Sequence, residues 1–526
     1  MNPLGIQADA LWSEDRGGPD FSFDTLWHSR GKLTSQGYVV WMEIPLKSLR
    51  FPSVTEQKWG FTLLRTIPRN NEWAYWPRVS SRIEGRLNQA ATLAGIENVS
   101  PGRNLQLIPY GVFRSFRALD TRDSNRPRFT SKGAEPDAGL DAKFVFKDSL
   151  VLDVAVNPDF SQVESDAPQI TVNQRFEVLF PEKRPFFLEN ADYFRTPVDL
   201  VFTRRIADPQ LGVRATGKIG RNSIGALIID DQSPGKGVPP DDALSGERAY
   251  FGIFRVSRDI FKQSSVGFIL TDREFRETFN RVGGFDGRFK LNDNWVTRLQ
   301  AVASSTPFAD GRRRHGSALE ASLNRSGRQF SYSLRYSDRS PGFAALAGFI
   351  PQVDIRSINQ FVTYRLRPEK KFLIALGPAL SSTQIWDHRG TRLNSEYIPL
   401  FQAELKGQTF ISVGRSNHRE RLRPEDFPIL TANRDFSKAT NFVFFNSNIF
   451  STFGVEGQYR SGHRINYGPP SGQEPFLANH REASLTLTFR PVTSLRVDNT
   501  YIGARLLDRS NGSSIFNNHI IRSRAN

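Results

Sequence analysis

From about residue 210 onward the chain alternates apolar and polar positions in runs of about 8–11 residues. The alternation is plainest in Phe330-Ser331-Tyr332-Ser333-Leu334-Arg335-Tyr336 and in Ala483-Ser484-Leu485-Thr486-Leu487-Thr488-Phe489. Successive strand side chains point to opposite faces, so such runs gather their large apolar groups on one face and polar groups on the other. Each run is long enough to cross a bilayer as a tilted strand. About 17 runs follow residue 210, and a hairpin at 140–156 with neighbours upstream brings the expected total near 20.

The connections sharpen this reading. Short turns at 219–222, 291–294, 326–329 and 406–407 alternate with long loops rich in Gly, Pro, Asp and Arg at 231–247, 304–315, 339–354, 381–397, 416–439 and 461–481. A membrane barrel with tight turns on one rim and surface loops on the other produces that rhythm. A propeller would repeat a motif every 40–50 residues or so, and only the hairpin rhythm repeats here. The expected fold is therefore all-β: a large antiparallel transmembrane β-barrel of roughly 18–20 or more strands, preceded by a partial β-sandwich.

Two stretches fall outside the rhythm. Residues 1–98 read as short strands around Val39–Ile44, Trp59–Arg65 and the aromatic run Asn71–Pro77, too few to close a sandwich alone. Residues 157–198 lack strand alternation yet carry Phe176, Phe180, Phe186, Phe187, Leu188, Tyr193 and Phe194. So long an irregular segment is usually functional, and so apolar a one is costly to leave in water. It is expected to lie inside the barrel 104–526 as a plug or inward-folded constriction.

Composition narrows the classes. The chain has 42 Phe and no Cys. There is thus no disulfide, no thiolate zinc site and no Cys nucleophile. No apolar stretch reaches the length of a transmembrane helix. The net charge of +16 is spread as single Arg near turns, the tightest run being Arg312-Arg313-Arg314-His315. No nucleic-acid recognition motif accompanies it, so nucleic acid is not an expected partner. The opening residues carry no secretory leader pattern, and the chain reads as beginning inside a domain.

Three motifs then carry a resemblance. Leu152-Asp153-Val154-Ala155-Val156-Asn157-Pro158-Asp159-Phe160-Ser161-Gln162-Val163-Glu164-Ser165-Asp166 is the first, Arg175-Phe176-Glu177 through Phe180-Pro181-Glu182-Lys183-Arg184-Pro185-Phe186-Phe187-Leu188-Glu189 the second, and Phe202-Thr203-Arg204-Arg205-Ile206 the third. Together they resemble the bacterial family DUF5916, a domain of unknown function, over about 104–526. The resemblance implies an outer-membrane barrel of a Gram-negative bacterium with lipid around it. Residues 1–98 resemble the C-terminal part of carbohydrate-binding module family 9, through Asn2–Asp9, Phe23-Asp24 with Trp27, and Glu43–Phe51. That likeness implies a periplasmic module, a carbohydrate partner and a possible Ca²⁺ ion there, with no other cofactor.

Candidate chemistry is of two kinds. Exposed indoles can stack on sugar rings, and Trp73, Trp76 and Trp41 are the ligand-binding candidates, against the alternative that such residues are sandwich core. In the irregular segment Glu177, Glu182, Lys183, Arg184 and Glu189, with Asp159, Glu164, Asp166, Arg204 and Arg205, mix acids and bases. Unpaired charge in a lumen would be costly, so these are expected to pair with each other and with inward-facing wall residues. A glycoside hydrolase would need two carboxylates about 5–10 Å apart, which the sequence allows without prescribing. The seven His are scattered, and neither a catalytic set nor a metal site is expected. The leading function is an outer-membrane barrel that binds or admits a glycan-related ligand. The alternatives are a glycoside hydrolase acting on O-glycosyl bonds and a structural or anchoring protein.

Overall fold

A computed structural model describes residues 2–14, 18–21, 23, 25–49, 51, 54–100, 105–120, 128–146, 149–160, 163, 166–167, 169–236, 238, 241–307, 311–368, 370, 372–492 and 495–525. Glu164 of the acidic group lies outside them.

Residues ahead of the barrel form four antiparallel strand pairs among the described residues: β1 (Leu11–Ser13) with β2 (Gly18–Asp20), β3 (His28–Thr34) with β4 (Gly37–Glu43), β5 (Glu56–Phe61) with β8 (Ala91–Glu97), and β6 (Leu63–Ile67) with β7 (Glu72–Trp76). These pairs do not join into two facing sheets, and the reason is visible on their surfaces. Leu33, Val39, Trp41, Met42, Leu63 and Leu64 are all exposed, apolar side chains on both sides of the β3–β4 and β6–β7 pairs that no second layer covers among the described residues. The isolated stretch 1–98 is accordingly expected to melt without a cooperative calorimetric transition. A sharp one would show that it carries a sufficient core of its own.

The rest of the chain closes into one antiparallel barrel of 20 strands. In order they are β9 (Leu105–Asp120), β10 (Arg128–Phe146), β11 (Leu150–Val156), β12 (Pro209–Ile219), β13 (Asn222–Asp231), β14 (Ala249–Ile260), β15 (Ser264–Phe275), β16 (Thr278–Lys290), β17 (Trp295–Pro307), β18 (Arg313–Arg325), β19 (Phe330–Arg339), β20 (Ile355–Tyr364), β21 (Leu373–Trp386), β22 (Arg392–Leu405), β23 (Thr409–Leu422), β24 (Arg434–Ser447), β25 (Phe453–Asn466), β26 (Phe476–Val492), β27 (Leu495–Asp508) and β28 (Ser514–Ala525). Each pairs with its sequence neighbour, and β28 lies beside β9 to complete the ring. Closure leaves no unpaired strand edge for a bilayer to penalise.

The two faces of the wall are chemically distinct. Ile228, Leu270, Phe285, Leu299 and Leu319 point outward and are exposed, while their neighbours Leu227, Ile229, Ile269, Gln300 and Glu320 point inward and are buried. An outward belt of this kind is stable against lipid and unstable in water. No helix among the described residues is long and apolar enough to cross a membrane.

Several strands run further than sequence alternation indicates. β23 continues to Leu422, well into the stretch expected as loop 416–439, and β21 and β22 leave only residues 387–391 of the expected loop 381–397. Loop 461–481 shrinks in the same way to 467–475. The cause is the end of the apolar belt. On β23 the outward side chains pass from Ile411 and Val413 to Arg415, Asn417, Arg419 and Arg421, so both faces turn polar and the period-two signal disappears while the ladder goes on.

The N-terminal pairs sit at the short-turn rim. Asn71 Nδ2 donates to the Leu405 carbonyl, and its Oδ1 accepts from the Gln408 amide. Glu84 takes hydrogen bonds from Arg288 at 3.2 Å, and its carbonyl accepts one from Lys290 at 2.7 Å. The segment 157–208 instead leaves β11 and returns to β12 at the opposite, long-loop rim.

Candidate functional site: the occluded lumen

Segment 157–208 starts at Asn157, whose φ of 51° turns the chain off the end of β11. Pro181 and Pro185 restrict the backbone ahead of a single helical turn, Pro185–Leu188. Its apolar residues then meet the wall. Phe187, Phe194 and Ile206 form one core with Leu227 and Ile229 of β13 and Ala249, Phe251 and Ile253 of β14. Val198 and Leu200 form a second with Ile269, Val282, Val302 and Ala318 of β15 to β18. Each such large side chain is worth about 1.5–3 kcal/mol when taken fully out of water.

A second segment joins these cores, and it was expected to be a surface loop. Phe343, Ala345 and Ala347 of the connection 340–354 are buried among the same residues. The Phe202 amide donates to the Ala347 carbonyl at 2.8 Å and the Phe349 amide to the Asp199 carbonyl at 2.9 Å, so the two segments hold each other. Asn280 of β16 anchors the loop through the Leu346 amide at 2.7 Å and the Ala344 carbonyl at 3.0 Å. The signal was present in the sequence: Phe343-Ala344-Ala345-Leu346-Ala347-Gly348-Phe349-Ile350 is too apolar for a solvated loop.

The charged candidates divide by partner. Glu182 and Arg184 pair with each other, Nη2 to Oε2 at 2.6 Å and Nε to Oε1 at 2.8 Å. Arg184 also donates to the carbonyls of Ile206 and Thr203 and lies 4.3 Å over the Phe187 ring. It therefore ties the segment to itself, one of the two kinds of pairing expected of these charges: both ends of its fork are taken up locally. Glu177 pairs with Arg205 at 2.6 Å, and Arg204 with Asp166. Lys183 lies in the same turn, its amide donating to Glu182 Oε1 at 2.9 Å.

Glu189 reaches the wall. It takes Lys143 of β10 at 2.6 Å and lies 3.7 Å from Arg214 of β12. Arg214 is buried, bonded to Asp153 of β11 at 2.7 Å and to the Phe186 carbonyl. Across the lumen, Arg175 bonds Glu420 of β23 at 2.9 Å, and Lys438 of β24 and Tyr467 also bond that carboxylate. Arg175 stands among the bases that the sequence places beside the segment's acids, but its partners, like that of Arg214, lie far along the chain.

Burial by itself would raise the Glu182 carboxyl, but the bonds from Arg184 and Thr203 outweigh it and hold its pKa down to about 2. A depressed folded-state pKa stabilises the ionised form. The contribution is present above the ordinary value of 4.5 and fades as the pH falls toward 2. Protease susceptibility of segment 157–208 should accordingly rise as the pH falls through that window in wild type, and show a weaker rise in Glu182→Gln.

The three tryptophan candidates do not form one platform. Trp73 and Trp76 stand three apart on β7 and so face opposite ways, and Trp41 belongs to the β3–β4 pair. Trp76 packs edge-on against Phe61 at 6.2 Å. Trp73 faces a cavity of about 840 Å³ between the N-terminal pairs and the short-turn rim, with Tyr75 and with Trp12, which the sequence reading left out. Arg86 stacks at 4.9 Å over Trp73 and 4.7 Å over Trp12. Among the described residues, no group of three or more His, Asp or Glu is arranged to hold a metal ion.

The family comparison falls on the stretch that holds segment 157–208 and its motifs. Residues 101–222 match the family described as Domain of unknown function (DUF5916). The DUF5916 match thus spans β9 to β12 and the whole inward segment between β11 and β12. No curated protein matches the chain. Among solved structures, the chain is similar to OccAB2 of Acinetobacter baumannii, at 10% identity and TM-score 0.35 over 60% of this chain and 91% of that one. It is likewise similar to OpdK of Pseudomonas aeruginosa with vanillate, at 12% and 0.35 over 62% and 94%. A BenF-like porin from Pseudomonas fluorescens Pf-5 gives 12% and 0.31 over 80% and 97%. The barrel assignment stands on this chain's own strand pairing.

Proposed function

We propose that this is an outer-membrane barrel protein whose lumen is a ligand path closed by segment 157–208 and loop 340–354. The observation that supports it most is the union of the two inward segments with β13 to β18 in shared apolar cores, on a wall whose outer face is apolar. The N-terminal pairs, at the short-turn rim, are a periplasmic module, because short turns of such barrels face the periplasm. Its ligand is glycan-related, a reading supported by the exposed indoles of Trp41, Trp73 and Trp76 and by the aromatic-lined cavity at the rim. Lipid is the barrel's surrounding partner.

Planar-bilayer recording tests the closed path. Deleting 160–195 should raise single-channel conductance several-fold, by about the cross-section the segment fills, while the barrel still inserts and shows heat-modifiable migration. Unchanged conductance in an inserted deletion variant would refute the closure. The glycan reading is checked separately, by loss of oligosaccharide binding in Trp73→Ala.

A further inference from the structure

The apolar cores of the inward segments lie on the β13–β18 side of the barrel, while residues 169–178 cross to the side opposite. There a cavity of about 750 Å³ lies between residues 169–178 and the inner faces of β22 to β27. Its cations are unevenly compensated. Arg175 and Lys438 are already spent on Glu420, and Glu177 on Arg205. Arg460 and Arg464, four residues apart on β25, line the same cavity, as does Glu482 of β26. Arg464 makes a neutral bond to Gln174 at 3.2 Å. Glu482 is the cross-strand neighbour of Arg460, yet its contact within salt-bridge range is His480, at 3.6 Å. His418, also in the lining, turns its buried Nε2 toward Glu420, 3.9 Å away, rather than into the cavity.

We propose that this cavity is a binding site for a small solute bearing an oxyanion, a carboxylate or a phosphate, held by the guanidinium groups of Arg460 and Arg464. A guanidinium presents paired N–H donors that match the two oxygens of such a group, and low-dielectric walls concentrate the field of uncompensated cations. Two guanidinium groups facing one water-filled space repel each other, and a bound anion relieves that repulsion. The site needs only this cavity, so it does not depend on the path conducting or on the glycan at the rim.

Titration calorimetry on the full-length chain in detergent tests it, with glucuronate, inorganic phosphate and glucose as probes. Glucuronate, phosphate or both should bind, and glucose should not bind this site. Arg460→Gln/Arg464→Gln should weaken the oxyanion probe by about tenfold or more, and Arg460→Lys/Arg464→Lys should weaken it less. Binding of glucuronate alone assigns the carboxylate, and of phosphate alone the phosphate. No binding of either probe to the wild type, equal binding of glucose that the Gln pair also removes, or undiminished oxyanion binding in the Gln pair with a normally heat-modifiable barrel would each overturn the proposal. Conductance of the 160–195 deletion is read independently, so failure of this site and failure of the closed path are told apart.

Discussion

Arg214→Ala should destabilise the barrel by about 3–5 kcal/mol, the range for removing one partner of a buried ion pair. Arg214 is 3% exposed and its guanidinium serves three acceptors at once: Asp153 on the neighbouring strand, the Phe186 carbonyl and, at 3.7 Å, Glu189 of the inward segment. Without it Asp153, also buried, keeps only Lys143 at 4.0 Å, and that ammonium is already bonded to Glu189 at 2.6 Å. The loss is therefore mainly that of a stranded carboxylate in a low dielectric. Replacing both charges by apolar groups, Asp153→Leu with Arg214→Met, should cost much less, because no charge is left without a partner. The denaturant midpoint of the folded, fast-migrating barrel in detergent reads both. Equal midpoints for Arg214→Ala and wild type would mean that the pair carries no net stability.

The barrel itself was legible because its signal is local. Strand count, the alternation of short and long connections and the hairpin at 140–156 all follow from period two and turn chemistry within a few residues. The expectation that segment 157–198 lies inside the barrel rested on seven large apolar side chains in a strand-free stretch; of these Phe187 and Phe194 are buried in the core with β13 and β14, whereas Phe176 is exposed. What escaped the sequence needed distance. Where the outward residues of β23 become Arg415, Arg419 and Arg421, hydrogen-bond pairing with β24 continues, but nothing within β23 reports it. The partners of Arg175 are Glu420 and Asp426, more than 240 residues away, and composition says nothing about such a pair. Arg184 shows the reverse case: its partner Glu182 is two residues off, within reach of a local reading. Loop 340–354 was misplaced for yet another reason: its position between long-loop strands outweighed its apolar composition, and the composition was the better guide.

Gly348→Val should open the lumen from that loop. A Cβ at position 348 would lie 2.3 Å from the Asp199 carbonyl oxygen and 2.9 Å from Leu200 Cα, both backbone atoms of the inward segment. Backbone cannot swing aside as a flexible side chain can, so the loop must retreat. Retreat breaks the Phe202–Ala347 and Phe349–Asp199 hydrogen bonds and uncovers Phe343, now 2% exposed. Two net hydrogen bonds and one buried aromatic amount to about 2.5–6 kcal/mol of local stability. That is enough to shift a closed arrangement to one in which the loop is detached much of the time. Because the loop joins the strands at the long-loop rim, the change should appear as greater open-channel current and as faster protease cleavage between residues 340 and 354 on intact cells. Gly468→Ala is the control, since nothing lies within 4 Å of the Cβ it would carry. If Gly348→Val matches that control in both current and cleavage, loop 340–354 does not hold segment 157–208 in place, and the closure must rest on the β13–β14 core and the Arg214 cluster alone.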